Sequence, residues 1–156
     1  MVEFNIYSRS EIQKLIPLEV PHIFISISTP GDSKAKISTN NNTLGILRLW
    51  FYDADVPFYD FLKNRMAEEN ELFNADDANK ILNFVQQNSR AEKIIIHCDM
   101  GKSRSTAVAA ALSKILTGDD KLFFNSSSAR MMRWIPNMRV YRTILDEYYN
   151  KNGTLV

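Results

Sequence analysis

The stretch Ile94-Ile95-Ile96-His97-Cys98-Asp99-Met100-Gly101-Lys102-Ser103-Arg104-Ser105 constrains this chain more than any other. Three consecutive β-branched residues read as a buried strand. A polar turn containing glycine follows, and Thr106-Ala107-Val108-Ala109-Ala110-Ala111-Leu112 then reads as an alanine-rich helix. Cys98 therefore sits where a strand ends and a helix is about to begin, with Arg104 six positions later. Backbone N–H groups in such a turn converge and, with the helix N-terminus, make an anion site. A helix N-terminus and a neighbouring cation both favour thiolate over thiol. An arginine reaching back over the turn offers a planar fork that matches phosphate. A nucleophile and a phosphate cradle built from the same residues imply cysteine-dependent hydrolysis of phosphate esters.

The rest of the chain alternates strand and helix patterns. Phe4–Tyr7 and His22–Ser28 read as strands, and Leu44–Phe51 as a third. Ser8 with Glu11 fits a capping box ahead of the stripe Ile12, Leu15, Ile16, which Pro17 ends. Residues 31–44 are polar and rich in asparagine, hence a loop. Residues 58–73 are expected to hold a short helix around Phe61-Leu62. Asn74 caps the next helix, where Ala78, Ile81, Leu82 and Val85 share one face. The helix after the Cys98 turn is expected to run to Leu116 and to end at Gly118. Further helices are expected around Phe123-Phe124 and Ala129–Met132, and Pro136-Asn137 opens the last one. Phe61, Phe73, Phe123, Phe124, Met131, Met132 and Met138 are read as core, and the tail from Asn152 to Thr154 as frayed. Arg130, Arg133, Arg139 and Arg142 are read as a solvated basic face.

This alternation predicts an α/β fold: one domain over residues 1–156, a three-layer α/β/α arrangement with a central, mainly parallel sheet of four or five strands. Ligands in such sheets bind beyond the carboxyl ends of the strands. The Cys98 turn and the loop Tyr52-Asp53-Ala54-Asp55 both follow strand ends. They can face one crevice, all the more if the third strand lies beside the Cys98 strand.

The expected chemistry assigns each residue a task. Cys98 attacks phosphorus, and the amides of Asp99, Met100, Gly101, Lys102 and Ser103, with Arg104, stabilise the charge on the phosphate oxygens. Gly101 lets the backbone curl. Ser105 donates to the cysteine sulfur as it leaves. His97 orients the turn. The leaving oxygen needs a proton, and Asp53 is the expected acid, with Asp55 as the alternative. No metal and no cofactor are required, because Arg104 and the amides supply the positive field.

His97-Cys98, five residues, then Arg104-Ser105 resembles the H-C-x5-R-S/T motif of cysteine-based protein tyrosine phosphatases. Its place in the later half of a small domain resembles the dual-specificity branch, not the low-molecular-weight branch, whose motif is N-terminal. Leu47-Arg48-Leu49-Trp50-Phe51-Tyr52-Asp53 and Pro136-Asn137-Met138-Arg139-Val140-Tyr141 are similar to segments of small bacterial and phage members. The resemblance implies a P-loop nucleophile at Cys98, phosphate binding by Arg104, and a general acid that maps best to Asp53. It implies a phosphorylated protein as partner, on phosphotyrosine and also on phosphoserine or phosphothreonine. Inositol phosphates, nucleotide phosphates and RNA 5′-phosphates are the alternative substrates. Asp99, directly after the nucleophile, disfavours a densely anionic head group, whereas Lys102 favours one.

Two other readings compete. Gly101-Lys102-Ser103 could end a nucleotide-binding G-x4-G-K-S loop, but the first glycine of that motif falls on Ile96. A phosphoresidue-binding module without turnover would not need cysteine, arginine and acid together. Bulk composition agrees with an ordinary globular protein: the chain has 156 residues, 45% hydrophobic, and a net charge of +1. No field argues for nucleic acid or an acidic membrane. One cysteine excludes an intrachain disulfide and points to a reducing, cytoplasmic setting; no signal peptide is evident at Met1-Val2-Glu3-Phe4.

Overall fold

The computed structural model describes residues 1–125 and 134–152. Segments β1 (Glu3–Tyr7), β2 (His22–Ser28), β3 (Thr43–Trp50) and β6 (Lys93–His97) form a parallel sheet in the order β1-β6-β2-β3. β2 is buried along all seven residues, as a central parallel strand covered on both faces must be. The two faces follow from the period of two along each strand. Ile23, Ile25, Ile27, Ile94 and Ile96 enter one core, while Phe24 and Ile95 enter the other.

The larger core is covered by α2 (Ala75–Gln87), α3 (Arg104–Thr117), α4 (Lys121–Phe124) and α5 (Met138–Asn152). Asn74 caps α2 through the amide of Asp77, and Ala78 and Ile81 are its buried residues. Ten consecutive residues of α3, Arg104–Ser113, are buried, and its alanines let the helix lie close to the sheet. Gly118 ends it in the left-handed conformation. The smaller core is covered by α1 (Arg9–Ile12) and by the 29–42 segment, which inserts Ala35 beside Ile12, Phe24 and Ile95. The architecture is the expected three-layer α/β/α, with one outer layer much thinner than the other.

Three expectations change. The helix beginning at Ser8 is confined to α1: the capping box between Ser8 and Glu11 forms, but Ile16 is exposed. The helix expected at Phe61-Leu62 is instead the tip of an antiparallel hairpin, β4 (Phe58–Asp60) with β5 (Arg65–Ala67). The Asp60 carboxylate accepts the N–H groups of Leu62 and Lys63, giving the chain a turn in place of a helix. Phe61 is 85% exposed as a result, and Phe124 is 41% exposed, whereas Phe73 and Phe123 are core as expected. Finally, β3 does not flank the Cys98 strand, because β2 lies between them. The expected helix at Ala129–Met132, Arg130, Arg133 and the tail beyond Asn152 fall outside the described residues. No helix among the described residues is long and apolar enough to cross a membrane.

Candidate active site

The Cys98 turn leaves β6 at the carboxyl edge of the sheet, between the ends of β1 and β2. Four of its carbonyls, those of Cys98, Asp99, Lys102 and Ser103, have partners outside the turn. His97 Nδ1 lies 3.3 Å from Cys98 O, and Arg9 N donates to Asp99 O at 3.1 Å. Ile135 N and Thr106 Oγ1 donate to Lys102 O, and Asn137 N donates to Ser103 O. Every peptide bond here is trans, so an outward carbonyl turns the following N–H to the opposite side. Among the described residues, no acceptor takes the amides of Asp99 through Arg104. The amides of Asp99, Met100, Ser103 and Arg104, which follow those four carbonyls, therefore turn to the inner side, the arrangement of an anion nest.

Cys98 is 2% exposed at the floor of this nest, with Ser105 Oγ 3.1 Å from its sulfur. Arg104 is 5% exposed, and its guanidinium is held by three hydrogen bonds among the described residues. Nη1 donates to Thr29 Oγ1 at 3.1 Å and to Phe51 O at 2.8 Å. Nη2 donates to Asp99 Oδ2 at 3.0 Å. A guanidinium has five N–H groups, so two remain, one on Nη2 and the one on Nε. The Nε donor is buried without a partner among the described residues, which is costly unless a ligand completes it.

Asp99 is only partly exposed, and its charge is paired. Its carboxylate accepts from Thr29 Oγ1 at 2.7 Å as well as from Arg104. Burial pushes the Asp99 carboxyl up, but those two bonds and the Arg104 charge outweigh it and hold the group below its usual range. Asp99 is a brace for Arg104.

The two loop aspartates part company. Asp53 Oδ1 accepts from Ser103 Oγ at 2.8 Å and from Asn137 Nδ2 at 2.7 Å, which ties it to the rim of the Cys98 turn. Asp55 is anchored by its backbone, whose carbonyl accepts from Arg139 Nη1. A cavity of about 320 Å³ lies between this loop and residues Ile135–Met138, with Ser103 in its wall. Met138 lines it instead of filling the core.

Four contributors are given no role at the turn by the sequence, although Asn137 and Arg139 lie in the segment that carries part of the resemblance. Thr29, Asn137 and Arg9 reach the turn from other segments. Arg139, read as part of a solvated basic face, donates to Phe73 O and Asp55 O and pairs with Glu69. It pins the acidic loop to α5.

His97 is 1% exposed and sits between the turn and Ser26. Burial is the main reason its imidazole is pushed down to about 4; the Cys98 carbonyl and Asp99 oppose this, while Arg9 and Arg48 add to it. The unfolded chain therefore takes up a proton near pH 6.5 that the folded chain refuses until about pH 4. His97 contributes its full stability above pH 6.5 and loses it as the pH falls. We expect about 2 kcal/mol of unfolding free energy to disappear between pH 7 and pH 5 through this group. Urea melts of wild type and His97→Gln at both pH values check it. Equal pH dependence in the two proteins would contradict it.

No family model and no curated protein sequence matches the chain. Solved structures do match: the crystal structure of PTPMT1 is 12% identical with a TM-score of 0.53, covering 97% of this chain and 90% of that chain. The chain and PTPMT1 share the three-layer α/β/α fold across nearly their whole lengths.

Proposed function

We propose that the chain is a metal-independent phosphomonoester hydrolase of the cysteine-based phosphatase superfamily, closest in kind to its dual-specificity-like branch. The observation that carries this reading is the buried Arg104 Nε donor, without an acceptor among the described residues, in the same turn as Cys98 and amides that no described residue accepts. A phosphoryl group completes all of them at once. The likeness in fold to PTPMT1, a dual-specificity-like phosphatase, points the same way.

The proposed reaction runs in two steps. Cys98 Sγ attacks phosphorus as the bond from phosphorus to the ester oxygen breaks. Asp53 delivers a proton to that oxygen from Oδ2, since both of its hydrogen bonds fall on Oδ1. The phosphocysteine is then attacked by water, which gives its proton back to Asp53 as the sulfur–phosphorus bond breaks. Ser105 Oγ donates to the leaving sulfur. Asp53 is favoured over Asp55 because it alone is tied by its side chain to the turn. The substrate we infer is a phosphorylated protein. With Asp99 spent on Arg104, it gives no ground for excluding more anionic esters.

The expected result is hydrolysis of p-nitrophenyl phosphate in EDTA, inhibited by vanadate. Asp53→Ala slows substrates with poor leaving groups by about 10²–10⁴-fold and flattens the basic limb of the pH profile, while Asp55→Ala does neither. The reverse pattern moves the acid to Asp55. A panel of phosphotyrosine, phosphoserine and phosphothreonine peptides beside inositol phosphates and RNA 5′-triphosphate identifies the substrate. Tight phosphopeptide binding without phosphate release would overturn catalysis itself.

A further inference from the structure

Ser26, His97 and Arg48 form one rung across three strands. Ser26 of β2 pairs in register with His97 of β6 on one side and with Arg48 of β3 on the other. Their side chains extend the thin core layer of Phe24, Ile46 and Ile95 toward the catalytic edge. Ser26 Oγ lies 2.6 Å from His97 Nε2, and both residues are 1% exposed. Arg48 Nη1 lies 3.4 Å from Ser26 Oγ and donates to Ala35 O at 2.9 Å.

We propose that Ser26 and Arg48 are positioning residues: they fix which nitrogen of His97 carries the proton, and through it the aim of the Asp99 amide into the anion nest. The direction of each bond follows from the donor inventory. Cys98 O can only accept, so His97 Nδ1 must donate to it. The ring is neutral, so Nε2 must accept, and Ser26 Oγ–H must donate to it. The Ser26 oxygen then keeps a lone pair toward the Arg48 guanidinium. The chain runs one way, from Arg48 through Ser26 and His97 to Cys98 O. The opposite tautomer would set a bare Nδ1 lone pair against a buried carbonyl. Held by His97, Cys98 O points out of the nest, and across the trans peptide the Asp99 N–H points in.

The charged groups that face His97 come from three elements. Arg9 of α1 and Arg48 of β3 disfavour the imidazolium, and Asp99 of the turn favours it. Both arginines therefore keep the ring neutral, which the wire requires. Arg48 also secures the 29–42 segment through Ala35 O, so its replacement acts on two contacts. Among the described residues the Ser26 hydroxyl bonds only to His97 and Arg48, so its substitution is the cleaner probe.

The kinetic arm of the test rests on the phosphatase reading, while the spectroscopic arm does not. The chain has two histidines, His22 and His97, so long-range ¹H–¹⁵N spectra of the labelled protein resolve each ring. His97 is expected as the Nδ1–H tautomer in wild type and as a mixture including Nε2–H in Ser26→Ala. Inorganic phosphate affinity and kcat/KM fall about tenfold in Ser26→Ala, the scale of one buried hydrogen bond, while Ser26→Thr restores both. Arg48→Met behaves like Ser26→Ala, and Arg48→Lys recovers part of the loss. Thermal melts confirm that each variant is folded. An Nε2–H tautomer in wild type overturns the proposal. So does a Ser26→Ala protein that keeps both its tautomer and its phosphate affinity. Wild-type protein that shows the expected tautomer but neither binds nor hydrolyses phosphate refutes the phosphatase reading and leaves the tautomer assignment standing.

Discussion

Arg104→Lys is expected to lower kcat/KM toward p-nitrophenyl phosphate by about 10²–10³-fold, the range for loss of one preorganised donor to a charged transition state. Lysine keeps the charge but not the function. The guanidinium makes three bonds to the protein, to Thr29, Phe51 O and Asp99, and still has two donors free. An ammonium has three donors in all. If it satisfies the buried Phe51 carbonyl and the Asp99 carboxylate, too little remains for phosphate, and a point charge cannot grip two oxygens in one plane. Vanadate affinity should fall in parallel. Cys98→Ser is the companion variant: it removes turnover while the nest still binds phosphate, because the amides and Arg104 are untouched. An Arg104→Lys protein within threefold of wild type would place the phosphate elsewhere. Metal-dependent hydrolysis that survives Cys98→Ser would refute the mechanism outright.

The strand and helix that flank Cys98 were legible because everything they need is local. A β-branched run, a short turn with glycine and an alanine-rich helix fix a strand–turn–helix unit whatever surrounds it, and β6 and α3 follow that pattern closely. What held the unit in place was not legible. Thr29, Arg9, Asn137 and Arg139 are ordinary polar residues on three segments far apart in the chain, and packing brings them to the turn. Asp99 illustrates the difference. Its position in the sequence suggests a charge at the mouth of the site, whereas its partners make it part of the arginine's support. The hairpin at Phe58–Ala67 failed for the opposite reason. Its apolar tip mimics a helical stripe, while the residue that decides the conformation is a single aspartate accepting two amides ahead of it. Sheet order was similarly out of reach, since Leu44–Trp50 and Ile94–His97 carry no mark of which strand separates them.

Gly101→Ala tests how tightly the nest is fastened to its surroundings. Gly101 has φ of 68°, and a Cβ there would lie 2.8 Å from Ser8 N and Tyr7 C and 3.0 Å from Tyr7 O. All three atoms belong to the backbone where β1 meets α1. That junction cannot retreat, because the Ser8–Glu11 capping box fixes one side and the Arg9 amide bond to Asp99 O fixes the other. The turn itself must move, and with it the amides that face the phosphate. Gly118 is the control: it has φ of 81° but nothing within 4 Å of its missing Cβ. Gly118→Ala should cost about 1 kcal/mol, the left-handed penalty alone. Gly101→Ala should add the overlap and cost about 3–4 kcal/mol, lowering Tm by about 10 °C in a domain of this size. Below its Tm, the folded Gly101→Ala protein should still lose phosphate affinity and turnover, whereas Gly118→Ala should match wild type in both. Equal losses of stability in the two variants would mean that the β1–α1 junction yields. Full activity in Gly101→Ala would mean that the nest does not depend on this close approach, and its amides would then have to be held by the outward carbonyl bonds alone.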